Sequence, residues 1–450
     1  MISRFALPAL LALAACDSTP AAKSKPEPSA TAIADEQTEP DAAPAAAGCV
    51  DWSKQDLSKL PALPESRYRR TLEQAWTLVV EKHYDPTLGC VDWPAARMRY
   101  GERLAKTRDQ TEAFAVINQM LEELGQSHVK LFSPGSDEVV GPAKVDLTLR
   151  WIGLDLVAVQ AGEETEVPVG AAISSIGDVS VRDFENRARA RTKRPAEFRA
   201  MVARLATAAL SCPAPGEKRR LQTRTSSAPQ ALPCVATEGE TVSLGNLTDV
   251  PVRVEHRLIE GTKVGVIAFN VWMLPMVAKI EAALADLRAK GMKGLVLDLR
   301  GNPGGVGPMA VSVARSLLSE PGSLGKLEMR AFTQEFNVTP GPDPFSGPVA
   351  LLVDEGTAST SEIFAAGLRD LGRVTIYGSG PSAGAALPSL IEQLDGGALF
   401  QYVVGDYHSP KGVLVEGKGV EPDHVVPETQ ADFRAGRDPV LEAAVAALKG

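Results

Sequence analysis

The chain has 450 residues, more than a single hydrophobic core usually organises, so its length predicts two or three domains. Hydrophobic residues make up 44% of the chain and charged residues 23%, which is typical of a soluble globular protein. The formal net charge of −9 and the absence of a long Lys/Arg run argue against a nucleic acid or an anionic membrane surface as the main partner.

Residues 1–16 form a separate segment. Arg4 precedes an apolar stretch, Phe5 to Ala15, that is too short to span a bilayer as a stable helix. The stretch ends in small residues before Cys16, a pattern that resembles a bacterial lipobox. The resemblance implies that Cys16 is acylated and becomes the mature N-terminus, so that the protein would contact a membrane through a lipid anchor only. An ordinary cleaved secretion signal is the alternative, and both interpretations predict export to the periplasm or cell envelope.

Residues 17–47 are rich in Ala, Pro, Ser, Thr, Glu and Asp and contain almost no large apolar side chain. Such a segment cannot bury enough apolar surface to offset the entropy lost on ordering. We therefore expect a disordered tether between the lipid and the folded domains.

The other four cysteines become interpretable once export is assumed, because an oxidising compartment favours disulfides. Four cysteines allow three pairings, and we favour Cys212 with Cys234, which closes a short loop, and Cys49 with Cys90. No CxxC motif or neighbouring histidine pair accompanies them, so the spacing does not predict a metal site.

Residues 48–140 carry a helical pattern. Apolar residues recur at three- and four-residue intervals between Tyr68 and Leu131, and Gly125 to His128 is predicted to form a turn before a short strand. The pattern predicts a helical N-terminal region.

Residues 141–250 are instead rich in strand-forming residues. Ala171 to Val181 resembles the I-x-x-I-x-G-x-x-V segment of PDZ domains, which predicts a PDZ-like domain here. A helical, basic insert at about 196–210 departs from a minimal PDZ domain.

Residues 251–450 alternate strand and helix, which indicates a layered α/β core. The predicted elements are a first strand–helix–strand unit, Val264 to Ala268, Val277 to Lys290 and Gly294 to Leu299, and a second, Val349 to Val353, Ser361 to Leu371 and Val374 to Tyr377.

Two blocks in this last region carry the candidate chemistry. The first runs from Gly294 to Gly305, where a buried strand enters a glycine pair whose N–H groups can approach a substrate. The second runs from Ala350 to Ala365 and places Ser359 near the start of a helix, where free N–H groups stabilise a developing oxyanion. Taken alone, the first block could be only a tight turn and the second only a helix cap.

Together the blocks resemble the DLR-x-N-x-GG and G-[ST]-A-S-x-SE motifs of the tail-specific, or C-terminal processing, protease family. The resemblance continues through Gly372-Arg373 and ends at the GKGVEPD segment, 417–423. It implies a layered core of the ClpP and crotonase kind and a serine peptidase that hydrolyses polypeptides through an acyl-enzyme on Ser359, without metal or cofactor. With a PDZ-like domain, such an enzyme would engage substrate C-termini by strand addition.

One position departs from the family. The tail-specific branch pairs its serine with a lysine in a G-E-x-x-F-G-K-G segment, and Gly384 stands at the lysine position here. A serine hydroxyl is a weak nucleophile without an adjacent base, so either the site is inactive or another residue serves.

The tricorn-core branch of the family offers that residue. Its Ser-His pair and late glutamate match Ser127-His128 and Glu416 in this chain. The resemblance implies that His128 is the general base and acid and that Glu416 orients it through the Ser127 hydroxyl. The N–H groups of Gly305 and Thr360 would then form the oxyanion hole.

Two other classes of function remain open. A non-catalytic carrier is the main alternative, because the family resemblance includes retinoid carriers with the same core. A crotonase-type acyl-CoA enzyme shares the fold, but that chemistry does not explain a Ser-His-Glu set. The remaining histidines are expected to be structural or solvated: His83, His256, His408 and His424.

Overall fold

A computed structural model describes residues 48–132, 143–192, 195–236, 240–244 and 247–449. The predicted signal segment, the lipid attachment site Cys16 and the tether lie outside these residues. In the described part of the chain, no helix is long and apolar enough to cross a membrane.

The N-terminal region contains three helices, α1 (Arg69–Lys82), α2 (Trp93–Leu104) and α3 (Gln110–Leu121), followed by a short strand, β1 (Lys130–Phe132). Aspartates begin two of the helices, because Asp92 accepts from the N–H of Ala95 at 3.0 Å and Asp109 from that of Glu112 at 2.9 Å. The apolar faces of the helices meet in one core. A disulfide ties Cys49 to Cys90, as the sequence favoured.

The middle region has its own hydrophobic core and is mostly β-structure. Its elements are β2 (Ala143–Val145), β3 (Leu147–Ile152), β4 (Asp155–Ala161), β5 (Ile173–Ile176), β6 (Val179–Ser180), α4 (Val181–Arg191), α5 (Pro195–Ala209), β7 (Ser211–Cys212), β8 (Lys218–Thr223), β9 (Gln230–Ala236), β10 (Glu240–Leu244) and β11 (Leu247–Val252).

Six of these strands form a sheet in the order β6-β5-β8-β9-β2-β7, and β3 pairs with β4. The predicted insert is the helix α5, which packs on β3 through an edge-to-face contact between Phe198 and Trp151. The second favoured disulfide, Cys212 to Cys234, joins β7 to β9. The β10–β11 hairpin ends at Val252, which packs with the core of the C-terminal region.

The C-terminal region alternates strands and helices, as predicted. Its elements are β12 (Val254–Leu258), β13 (Val264–Phe269), α6 (Leu274–Ala289), β14 (Gly294–Asp298), α7 (Pro308–Ala314), β15 (Gly322–Met329), β16 (Thr333–Val338), β17 (Val349–Val353), α8 (Thr360–Asp370), β18 (Val374–Gly378), β19 (Ser389–Gln393), β20 (Leu399–Val403), β21 (Gly405–His408), β22 (His424–Val425), α9 (Gln430–Arg434) and α10 (Pro439–Leu448).

A central sheet with the order β12-β13-β14-β17-β18-β22 organises this region. All neighbours in it are parallel except β12 with β13. Along β14, Leu295 and Leu297 face a core shared with α6, α7 and α8, whereas Val296 faces a second core shared with α10. Helices therefore cover both faces of the sheet, and the α/β prediction is confirmed.

The topology brings the two sequence blocks together, because β14 and β17 are adjacent and parallel. Their carboxyl ends lead into residues 301–305 and into the turn before α8, at one edge of the sheet, where ligands of open α/β sheets usually bind. The N-terminal region reaches the same part of the molecule because β1 pairs antiparallel with β20.

Candidate active site

Ser359 lies in a sharp turn between β17 and α8, with φ 54° and ψ −122°. This left-handed conformation is strained for a residue with a Cβ, and such strain concentrates at functional sites. Two acceptors hold the turn, because the N–H of Ser359 is 2.9 Å from the carbonyl oxygen of Ala385 and 3.0 Å from Oε2 of Glu362. The serine is thus presented by a fixed backbone.

The glycine loop, residues 301–305, packs directly against this turn. Gly304 has φ 95°, and a Cβ there would lie 2.6 Å from the Cβ of Ser359, so only glycine fits. The hydroxyl of Thr360 donates to the carbonyl oxygen of Gly305 at 2.9 Å and locks the two segments together. Among the described residues, the backbone N–H groups of Gly305 and Thr360 donate to no protein acceptor. These two donors beside Ser359 are therefore available to a ligand.

Glu362 is a buried carboxylate on which four donors converge. Its Oε1 accepts from the hydroxyl of Ser382 at 2.5 Å and the N–H of Gly384 at 2.7 Å. Its Oε2 accepts from the N–H groups of Ala385 and Ser359. Burial raises the pKa of Glu362 to about 7, although the four hydrogen bonds favour the ionised form.

Residues 384–386 connect the two halves of the site. The N–H of Gly384, the residue expected at the lysine position of the tail-specific branch, donates to Glu362, whereas the N–H of Ala386 donates to Oε2 of Glu416 at 2.9 Å. Between them, the carbonyl of Ala385 accepts from Ser359. The segment therefore lies between the serine turn and Glu416.

Glu416 binds the turn that carries Ser127 and His128. Its Oε1 accepts from the N–H of Ser127 and its Oε2 from the Ser127 hydroxyl, each at 2.9 Å. The Ser127 oxygen is also 2.7 Å from Nδ1 of His128. Because the hydroxyl proton is donated to Glu416, the oxygen must accept from Nδ1–H, which leaves Nε2 of His128 as the unprotonated nitrogen. This tautomer is the one that a general base requires.

His128 is partly buried and, like Ser359, has a positive φ, 59°. Four non-glycine residues of the described part have a positive φ, and two of them are Ser359 and His128. Burial and, secondarily, the positive charge of Arg204 in α5 lower the pKa of His128 to about 4. The imidazole is therefore neutral at physiological pH.

The structure brings His128, Ser127 and Glu416 into one hydrogen-bonded set and Ser359, Gly305 and Thr360 into another. Among the described residues, no hydrogen bond joins the imidazole to the Ser359 hydroxyl. The two sets meet at the consecutive residues Ala385 and Ala386, one bonded to each. A general base has to come within hydrogen-bond reach of its serine in the reacting complex, and this distance is often longer in ligand-free enzymes.

Two supporting residues were not predicted from the sequence as parts of the site. His83, expected to be structural, is buried, and its Nε2 is 2.6 Å from the Gln126 side-chain oxygen, so it holds the turn next to Ser127. Glu362 was interpreted only as a helix cap. Its position three residues after Ser359 was a usable signal, but its bonds to 382–385 depend on a loop that sequence reasoning did not place.

The other histidines lie elsewhere. His256 pairs with Asp286, His408 lies 3.5 Å from both Glu328 and Asp406, and His424 stacks on Tyr377. Within the described ranges, no group of three or more His, Cys, Asp or Glu side chains could hold a metal ion.

Comparison with known proteins agrees with this geometry. The chain matches the model of Peptidase family S41 over residues 263–426 and that of the Tricorn protease C1 domain over residues 64–122. A carboxyl-terminal-processing protease of Synechocystis sp. is 26% identical over 378 residues, which are 83% of this chain and 84% of the relative. Another, of Picosynechococcus sp., is 26% identical over 79% of this chain and 83% of its own length.

Two solved structures share the fold. The photosystem II D1 C-terminal processing protease superposes with a TM-score of 0.54 at 20% identity, over 86% of this chain and 98% of that one. Mature CPAF superposes with a TM-score of 0.59 at 15% identity, over 85% and 96%.

These findings define the class of the protein, a peptidase of serine type on an α/β fold. The resemblance to the tail-specific proteases that the two sequence blocks indicated is confirmed, since the second half of the chain matches Peptidase family S41 and most of the chain aligns with carboxyl-terminal-processing proteases.

Proposed function

We propose that this protein is an exported serine endopeptidase that uses a Ser359–His128–Ser127–Glu416 tetrad in place of a serine–lysine dyad. One observation carries the proposal: the hydrogen-bonded series from His128 through Ser127 and Glu416 ends at Ala386, next to the residue that accepts from Ser359. Gly384 provides no side chain that could act as a base, so the imidazole is the group suited to activate the serine.

In the first half of the reaction, the Ser359 oxygen attacks the scissile carbonyl while Nε2 of His128 takes the hydroxyl proton. The imidazolium that forms is stabilised through Ser127, whose hydroxyl is in turn bonded to the Glu416 carboxylate. The free N–H groups of Gly305 and Thr360 are suited to bind the tetrahedral oxyanion. Collapse of the intermediate breaks the peptide bond, and His128 gives its proton to the leaving amine.

In the second half, water attacks the acyl-enzyme with the same groups in the same roles. His128 takes a proton from the water, and the Ser359 oxygen leaves with that proton as the peptide acid is released. Every step is supplied by side chains and backbone N–H groups of this chain. The low pKa of His128 keeps the base unprotonated, and because burial disfavours the imidazolium, its stabilisation in the reaction depends on the Ser127 hydroxyl and the Glu416 carboxylate behind it.

The PDZ-like character of the middle region and the lipid anchor at Cys16 belong to the same proposal. The processing proteases to which the chain is similar suggest that substrates are presented by their C-termini, and the β-rich middle region is suited to strand addition. The lipobox-like segment supports attachment to a membrane by lipid.

Labelling with a fluorophosphonate tests the catalytic part of the proposal. We expect covalent modification of wild-type protein at Ser359, none in Ser359→Ala, and a rate roughly 10²- to 10⁴-fold lower in His128→Ala. Peptide hydrolysis should fall in parallel. An unlabelled wild type that cleaves no peptide would favour a non-catalytic carrier on the same fold, and equal rates for wild type and His128→Ala would exclude the imidazole as base.

A further inference from the structure

Arg150 of the middle region lies within a buried group of carboxylates in the C-terminal region. Arg150 lies in β3, and its side chain is only 11% exposed. Its Nε and Nη2 donate to the two oxygens of Glu355 at 3.3 and 3.2 Å, and its Nη1 donates to Glu428 at 3.2 Å. The same guanidinium lies 3.4 Å from Asp354 and donates to the hydroxyl of Ser379 at 3.3 Å.

Asp354 connects this cluster to both loops of the active site. Its Oδ2 faces Arg150, whereas its Oδ1 accepts from the N–H of Gly301 at 2.8 Å and from that of Gly356 at 2.9 Å. Gly301 begins the glycine loop, and Gly356 lies in the turn that ends at Ser359. One carboxylate therefore fixes the start of the loop that offers an oxyanion donor and the turn that carries the nucleophile.

Arg150 is the cation nearest to the three carboxylates of the cluster. Asp354 and Glu355 are each 5% exposed at the side chain, and Glu428 is 1% exposed, so all three surround its guanidinium away from solvent. Two further arginines act from the edge of the cluster, because Arg300 lies 3.9 Å from Glu428 and its charge also reaches Asp354, whereas the charge of Arg199 in α5 reaches Glu355. Burial raises the pKa of Asp354 and the charge of Arg150 opposes it. For Glu355 burial acts in the same direction, but the charge and hydrogen bonds of Arg150 bring its pKa below the usual value. Loss of the cation would leave buried like charges, which repel and draw in water.

The contact also crosses between two hydrophobic cores. The neighbours of Arg150 in β3, Leu149 and Trp151, belong to the core of the middle region, whereas the strand before Asp354 belongs to that of the C-terminal region. The active-site loops are thus held partly by a residue from outside their own core.

We propose that Arg150 is a positioning residue of the active site: by holding the Asp354–Glu355 segment, it keeps Ser359 and the glycine loop in their reactive arrangement. The inference rests on the proposed function, because it concerns the reactivity of the same serine. It implies that the middle region completes the catalytic site as well as presenting substrate to it.

The test compares full-length Arg150→Met with wild type and with Arg97→Met. Arg97 is a matched control, because it is 10% exposed and pairs with Glu73 at 3.0 Å in the helical region, away from Asp354. We expect Arg150→Met to lower the rate of fluorophosphonate labelling and kcat at pH 8 by roughly 10- to 100-fold, with KM little changed. Arg97→Met should lower the melting temperature but keep the labelling rate within about twofold of wild type.

The pH dependence separates positioning from a general loss of stability. Without the cation, the buried carboxylates bind protons more readily, so acidification relieves their repulsion. The ratio of wild-type to Arg150→Met labelling rates should therefore shrink between pH 8 and pH 6, which a purely structural defect would not produce.

If Arg150→Met does not fold, Arg150→Lys takes its place, since lysine keeps the charge but loses the forked geometry. The expected result is then a smaller loss of labelling in folded protein, well below its melting temperature. Folded Arg150 variants that label as fast as wild type would overturn the inference while leaving the proposed function intact. An unreactive wild type would instead overturn the proposed function itself.

Discussion

Ser127 and Glu416 are 289 positions apart in the sequence, and two hydrogen bonds of 2.9 Å join them. The same carboxylate accepts from Ala386, so one side chain fastens the Ser127–His128 turn of the N-terminal region to the loop beside Ser359. Because each oxygen faces a donor, the ionised carboxylate suits the site despite the burial that raises the pKa of Glu416. The Ser127–His128 turn is therefore held by a carboxylate that is distant from it in the sequence.

Glu416→Gln should lower kcat by roughly 10²-fold with little change in KM. The amide turns an NH₂ donor toward Ser127 or Ala386, so the Ser127 hydroxyl no longer fixes the Nδ1–H tautomer of His128. Steady-state hydrolysis of a peptide substrate checks this. Glu421→Gln is the control, since Glu421 lies a few residues later with an exposed side chain. Equal kcat values for wild type and Glu416→Gln would show that Glu416 has no part in orienting His128.

The pH profile should reflect the low pKa of His128. The base is lost only as the pH falls through about 4, so the imidazole should still support labelling at pH 5, where an ordinary histidine with a pKa of 6.5 would be mostly protonated. Arg204→Gln removes the positive charge that helps to lower the pKa of His128. The acidic limb of the pH–rate profile of this variant should therefore move to higher pH. Arg204→Lys, which keeps the charge, should leave the limb in place. A limb that does not move in Arg204→Gln would remove the electrostatic account.

Local pattern predicted the elements of the fold well. Strands β13, β14, β17 and β18 and helix α8 lie within two residues of the predicted ranges, because periodicity and the glycine-rich ends are local signals. The helical insert was likewise predicted, as α5. Helix α4, directly before it, was not predicted, since its mean composition is polar and its apolar face is narrow.

The candidate site was accessible from the sequence only in part. Ser359, His128 and Glu416 came from resemblance to a family, since no spacing rule connects residues so far apart. The roles of Glu362 and residues 384–386 depend on how a loop crosses the serine turn, and Arg150 depends on how two cores pack together. These contacts are tertiary and leave no periodic trace in the chain.

The disulfide between Cys212 and Cys234 should contribute about 3 kcal/mol to the free energy of unfolding, because it closes a loop of 22 residues in the unfolded chain. Denaturant unfolding of the double variant Cys212→Ala/Cys234→Ala against wild type measures the loss. A reducing agent should break both bridges of the wild type. Reduced wild type should therefore be less stable than the untreated variant, and the difference should equal the contribution of Cys49–Cys90. A variant as stable as wild type would mean that the bridge is not formed in the native protein.

Glu362→Gln should impair the enzyme in a pH-dependent way. Four donors face the carboxylate, and an amide turns its own NH₂ toward two of them, which loosens Ser359 and residues 384–385. We expect wild type to exceed Glu362→Gln in labelling rate above pH 7. The advantage should diminish as the pH falls through about 7, because wild-type Glu362 then becomes protonated and resembles the amide. A ratio independent of pH would contradict this titration.

The contribution of Glu362 to the free energy of unfolding should depend on pH in the opposite direction to its contribution to the labelling rate. The folded pKa of Glu362 lies above its ordinary value of 4.5, so between these values the folded state binds more protons than the unfolded state. This group therefore contributes stability at low pH that is lost as the pH rises through about 7. Unfolding free energies of wild type and Glu362→Gln at pH 5 and pH 8 should differ in their pH dependence by this contribution, with the wild type losing more on going to pH 8.

The strained backbone at Ser359 yields a test that does not require activity. Glycine adopts φ 54° and ψ −122° freely, whereas alanine retains the Cβ that makes this conformation costly. Both Ser359→Gly and Ser359→Ala remove the hydroxyl, so their difference isolates the backbone. Relief of the strain outweighs the extra entropy of glycine in the unfolded chain, and Ser359→Gly should be the more stable by about 1 kcal/mol.

Ser361, the second residue of α8, is the matched control. There the order should reverse, with Ser361→Gly less stable than Ser361→Ala by about 1 kcal/mol, because glycine weakens a helix. Thermal and denaturant unfolding of the four variants measures both differences. If alanine proves at least as stable as glycine at position 359, the turn is not strained, and the nucleophile is presented without stored backbone energy.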